Sequence, residues 1–146
     1  MYTYLNHLNV LAPTGFKVAE LDVEGSGFMI SKTINSGIFM VLTAAIENSK
    51  NEAFETLLKN AFKTYGNENI SYDFTESSLN CAFANCSVKN YSGTTNGVVT
   101  SRGFMMHVLD QGVFYTLMFA NNNLDPELTK ELQLRIFDSI QFKKRL

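Results

Sequence analysis

The sequence predicts a single α+β domain over residues 1–146, a mostly antiparallel six-stranded sheet with two helices in the order β-β-β-α-β-β-β-α. Three observations lead there. Short segments of apolar and polar alternation are separated by tight turn signals, the pattern of hairpins. Two segments instead repeat their apolar residues at helical spacing. No composition break, internal repeat or linker divides the chain, whose length is ordinary for one domain.

Pro13-Thr14-Gly15 is a turn that sets a short N-terminal segment, residues 1–12, apart from the body. Phe16 to Val23 alternates as a strand with one slip at Ala19–Glu20, and Glu24-Gly25-Ser26-Gly27 turns the chain. Phe28 to Ile34 follows, with Phe28, Ile30 and Lys32 on one face, and Asn35-Ser36-Gly37 closes a hairpin. Ile38 to Ile46 is apolar on both pleat faces, as a central strand covered on both sides should be.

Ser49-Lys50-Asn51-Glu52 has the S-x-x-E form of a capping box and predicts a helix to about Tyr65. Its stripe is Ala53, Phe54, Leu57, Leu58, Ala61, Phe62 and Tyr65, and Gly66 stands where a left-handed residue ends a helix. Asn67 to Asp73 is a polar connection with room for a short strand around Ile70 and Tyr72 that is not counted among the six; one long strand then runs from Ser77 to Tyr91, with Ser92 to Gly97 as a loop. Val98 to Leu109 and Val113 to Ala120 form a hairpin around Asp110-Gln111-Gly112, and both strands are apolar on both faces. Asp125-Pro126-Glu127 opens the last helix with an N-cap acid and a first-turn proline. Leu128, Leu132, Ile136 and Ile140 are its stripe, widened by Phe137, and Gln141-Phe142 ends it.

Strands joined by short turns imply antiparallel pairing, with the two helices layered on one face. Three strands are apolar on both faces, more than two helices cover. Either the N-terminal segment folds across the open face or a second subunit does.

With 45% apolar and 18% charged residues, the chain has the makeup of a packed globular domain. Net charge is −2, which supplies no field for nucleic acid or an acidic membrane; Lys143-Lys144-Arg145 reads as a solvated tail. No apolar run is long enough to span a bilayer. Met1 to His7 lacks the basic and apolar regions of a signal peptide, which favours the cytoplasm, an exported form with its signal removed being the alternative. Cys81 and Cys86 lie five apart in an extended stretch, so pleating points them to opposite faces and predicts two buried free thiols.

The order of elements, together with Thr14-Gly15-Phe16, the capped helix after the third strand, Val113-Phe114-Tyr115-Thr116-Leu117 after the hairpin and the closing Phe137-Asp138-Ser139-Ile140-Gln141-Phe142, resembles the PsbP-like superfamily. That group includes the extrinsic oxygen-evolving protein of photosystem II, a Ran-binding nuclear-import factor and many bacterial domains. The resemblance implies a PsbP-like α/β sandwich and transfers no residue role.

No motif carries chemistry. His107 sits between Met105 and Leu109 on one strand face and reads as a structural histidine; Ser101 and Asp110 lie too far along the same strand to form a triad with it. The spacing of Glu20, Asp22 and Glu24 matches no calcium cage. Gly25-Ser26-Gly27 precedes no helix and is no phosphate loop. Met29, Met40, Met105, Met106 and Met118 fall on strands, as core filling or as an adaptable contact surface. No catalytic, cofactor-binding or metal-binding residue is assigned. The expected function is a non-enzymatic binding or protein-interaction module, self-associating or with a protein partner. A carrier of a small apolar ligand between sheet and helices is the alternative, and an enzyme with a site assembled from distant residues comes last.

Overall fold

In the computed structural model, which describes residues 2–4, 7–21, 27–123 and 125–144, two antiparallel sheets replace the single one expected. The larger has seven strands, not six: β3 (Lys17–Leu21), β4 (Gly27–Ile34), β5 (Gly37–Glu47), β6 (Ile70–Glu76), β7 (Cys86–Thr95), β8 (Val98–Asp110) and β9 (Val113–Asn122). Their spatial order is β3-β4-β5-β9-β8-β7-β6. The smaller joins β1 (Tyr2–Tyr4) and β2 (Leu8–Val10) to β10 (Gln141–Phe142) in the order β1-β2-β10. The helices are α1 (Phe54–Thr64) and α2 (Pro126–Ser139).

The predicted hairpins form where the turn chemistry placed them. Asn35 takes a positive φ between β4 and β5, and Gln111 and Gly112 do so between β8 and β9. A further hairpin, not expected from the sequence, joins β7 to β8. Ser92 to Gly97 is no loop: β7 continues to Thr95, and Asn96-Gly97 turns directly into β8 with both φ positive. A register shift at Gly93/Thr94 is the irregularity that hid it.

The long strand expected from Ser77 to Tyr91 is also corrected. Residues 77–85 are irregular, and pairing begins only at Cys86. Without a pleat there, nothing sends the two side chains to opposite faces, and Cys81 and Cys86 form a disulfide with Cα atoms 6.1 Å apart. They are not free thiols. The turn 24–27 lies largely outside the described residues, as do Asp22, Glu24 and Arg145.

The helices occupy opposite faces of the large sheet, not one. α2 lies with the small sheet on the face bearing Phe28, Phe39, Val41, Phe104 and Leu117. Phe104 stacks on Phe119 at 4.3 Å, and Phe137 of α2 meets both rings. Tyr4, Leu8 and Val10 complete this core, so the N-terminal segment covers the α2 face. Leu8, Val10, Ile30, Val41 and Leu117 are wholly buried, each contributing roughly 1.5–3 kcal/mol.

Asp125 caps α2 by accepting from Glu127 N at 3.0 Å, as expected. The buried stripe is rotated, however. Thr129 donates its hydroxyl to the side-chain Oδ1 of Asn121, which turns Thr129 and Gln133 inward beside Ile136 and leaves Leu128 59% exposed. Gln141-Phe142 does not merely end the helix; it pairs with β2.

The capping box is absent. β5 runs on to Glu47, and Asn48, not Ser49, ties the following turn: its amide accepts from Glu52 N at 3.0 Å and donates to Glu52 O at 2.9 Å. Ala53 is then the N-cap of α1, with no side-chain bond. Gly66 takes φ +90° just beyond the helix, as its position implied. α1 sets its apolar stripe on the second face of the sheet, yet none of its residues is fully buried.

Candidate functional site: the half-covered face of the sheet

Alternation along β5 and β9 sends Phe39, Val41, Leu117 and Phe119 into the sealed face and the intervening residues to the other. On that second face Met29 opposes Leu42, Leu42 opposes Met118, and Met118 opposes Met105. One apolar row thus crosses four adjacent strands. Met105 is buried, whereas Met29, Leu42 and Met118 are only half-buried.

α1 covers one part of this face. Phe62 meets Phe74 at 4.8 Å and His107 at 5.1 Å, and Phe54 approaches Phe114 at 6.3 Å. Between α1 and the strands lies a groove of about 380 Å³ lined by Ala44, Ile46, Leu57, Ala61, Tyr65 and Phe114, with Thr116 on its floor. Ile46 is 58% exposed at its wall. A smaller depression of about 270 Å³ adjoins Met40, Met118 and Tyr72.

One end of the groove is polar. The Tyr65 hydroxyl lies 2.6 Å from His107 Nε2 and also bonds Thr116. His107 is wholly buried among Phe62, Tyr65 and Phe114, and its Nδ1 has no hydrogen-bond partner among the described residues. Burial disfavours the imidazolium and lowers its pKa to about 4. Burial likewise raises the Tyr65 phenol, against the opposing bond from Thr116. Both are neutral at pH 7, so this pair offers hydrogen bonds and no charge.

The sequence-level candidates do not converge. Ser101 bonds the Tyr91 hydroxyl at 2.7 Å, His107 faces Tyr65, and Asp110 meets the other histidine. His7 Nε2 lies 2.9 Å from Asp110 Oδ2, and its Nδ1 lies 2.5 Å from the Tyr115 hydroxyl. This Tyr115–His7–Asp110 chain has the order of a catalytic relay, but His7 and Tyr115 are wholly buried and no substrate reaches them. It staples the N-terminal segment to the β8–β9 hairpin. Nothing local announces it, because His7 and Asp110 are 103 residues apart.

Glu20 accepts from the Tyr2 hydroxyl at 2.5 Å. No cluster of three or more metal-ligating side chains occurs among the described residues. No helix among them is long and apolar enough to cross a membrane. Met105 and Met106 fill core, while Met29, Met40 and Met118 face the open side.

The architecture defined by these layers is PsbP-like. The solution structure of cyanobacterial PsbP (CyanoP) from Synechocystis sp. PCC 6803 superposes with a TM-score of 0.61, over 93% of this chain and 86% of that one, at 10% sequence identity. No family model and no curated protein matches the sequence.

Proposed function

We propose that this chain is a non-enzymatic binding module whose contact surface is the half-covered face of its large sheet. The observation that carries this reading is the unequal cover of the two faces. One is sealed by α2 and the small sheet; the other has, among the described residues, only α1, a helix with no fully buried side chain of its own, on the same face as a continuous Met29–Leu42–Met118 row. Apolar surface left beside a groove favours contact with a protein surface, a second copy of the chain included. Methionine suits it, since the side chain adapts its shape to what it meets.

Light scattering across concentration, with Leu42→Lys and Ile46→Lys beside the unsubstituted chain, tests the self-association form. Association that both substitutions weaken about tenfold is expected. A monomer at every concentration, whose open face shows no slowing of amide exchange, overturns it.

A second reading is favoured by the groove itself: its volume of about 380 Å³ lies within the range of small-ligand sites. A carried apolar ligand would appear as bound mass in native mass spectrometry, and would raise the melting temperature. The Cys81–Cys86 disulfide supports an oxidising compartment, where such bonds persist, over the cytoplasm. Alkylation of the chain at extraction tests this, with no free thiol as the expected result.

A further inference from the structure

We propose that a second cleft, between the 11–16 segment, β4 and α2, binds a small apolar molecule carrying a carboxylate. It lies on the sealed side of the sheet, apart from the α1 groove, and goes beyond the binding role given above. Leu11, Pro13, Phe16, Lys32, Leu132 and Arg135 line a space of about 520 Å³.

The apolar part of the cleft is held in place from behind. Phe16 meets the buried Phe39 ring edge-on at 5.8 Å. The segment before it is fixed twice, by Leu11 N donating to Ser139 Oγ at 2.9 Å and by Phe16 N donating to Pro13 O at 3.1 Å. Gly15, at φ +90°, lets that turn form.

The polar part is cationic. Lys32 Nζ lies 5.8 Å from the Phe16 ring centre, a cation–π contact that keeps its charge at the cleft. Arg135 enters from α2. Among the described residues neither Lys32 nor Arg135 forms an ion pair, and no acidic side chain lines the cleft. In a chain of net charge −2 this is a local reversal of sign beside apolar surface. Arginine's planar fork matches a carboxylate with two parallel bonds, and the lysine adds a point charge. The complement is an anionic head on an apolar body.

The probes are octanoate, 1-octanol and acetate, titrated into the full chain and followed by amide NMR shifts. Octanoate is expected to saturate, with shifts concentrated at residues 11–16, 32 and 132–135. 1-Octanol, which keeps the tail, binds about tenfold more weakly, and acetate does not saturate. Lys32→Gln and Arg135→Gln, both exposed positions, each weaken octanoate about threefold or more and leave 1-octanol unchanged. No saturable octanoate binding overturns the proposal. So does equal affinity for the alcohol, indifference to both substitutions, or shifts confined to the α1 groove, the last of which leaves the second reading above standing.

Discussion

His107 shows what burial does to a single side chain. Its ring is enclosed by Phe62, Tyr65 and Phe114, and its folded pKa of about 4 lies below the unfolded value of about 6.5. Below pH 6.5 the unfolded chain therefore binds a proton that the folded chain refuses. The sign follows: stability is unaffected by this group above pH 6.5, falls as pH drops towards 4, and changes no further below that. The loss is up to about 3 kcal/mol. Urea unfolding between pH 4 and 7 should show this step, and His107→Gln should remove it; identical pH profiles for the two chains would refute the assignment. The sequence supports a structural histidine from Met105 and Leu109, its neighbours on the strand face. It does not show Tyr65, because that contact spans 42 positions and depends on where α1 ends. Gly103 is silent for the same reason. A Cβ there would overlap the Phe119 carbonyl oxygen, a constraint created only when β8 pairs with β9.

The two helices differ at the level of the element. α2 carries an N-cap bond from Asp125 and buries Thr129, Gln133 and Ile136. α1 has no side-chain N-cap bond and no fully buried residue, so packing adds little to the marginal stability of an eleven-residue helix. Hydrogen exchange at the amides of α1 is expected to run about tenfold or more faster than in α2, reporting local opening without unfolding of the sheet. Equal protection of the two helices would remove α1 as the weak cover of the open face. Both helices are legible from apolar spacing at three and four residues. Their starts are not equally so: Asp125-Pro126-Glu127 reads correctly, while Ser49-Lys50-Asn51-Glu52 mimics a capping box that β5 overrides by running on to Glu47. The disulfide was hidden in the same way. A strand reading of residues 77–85 supplied the pleat that separated the two cysteines, and the chain has no pleat there.

For the whole molecule, the decisive joint is the Tyr115–His7–Asp110 chain, which fastens the N-terminal segment to the β8–β9 hairpin. Lys143 N donates to His7 O at 2.7 Å, and Phe142 rests on His7 and Tyr115, so the C-terminal end meets the same point. His7→Ala leaves a cavity and removes the bonds that His7 makes to Tyr115 and Asp110. A cost of about 3 kcal/mol in urea unfolding is expected. Exchange should rise in β1, β2 and β10 before it rises in the large sheet; uniform destabilisation would show that the joint does not hold the small sheet.

Sequence alone determined the α+β class, the β4–β5 and β8–β9 hairpins, both helices and the surplus of strands apolar on two faces. Each of these is written in local spacing, which acts over a few residues. Only the tertiary structure decided the seventh strand, the separate three-stranded sheet, the disulfide and the division of the helices between opposite faces. It also decided that one face is sealed and the other half-open. Those outcomes depend on which distant segments pair, and the free energy of such pairing resides in contacts that no single stretch of the chain contains.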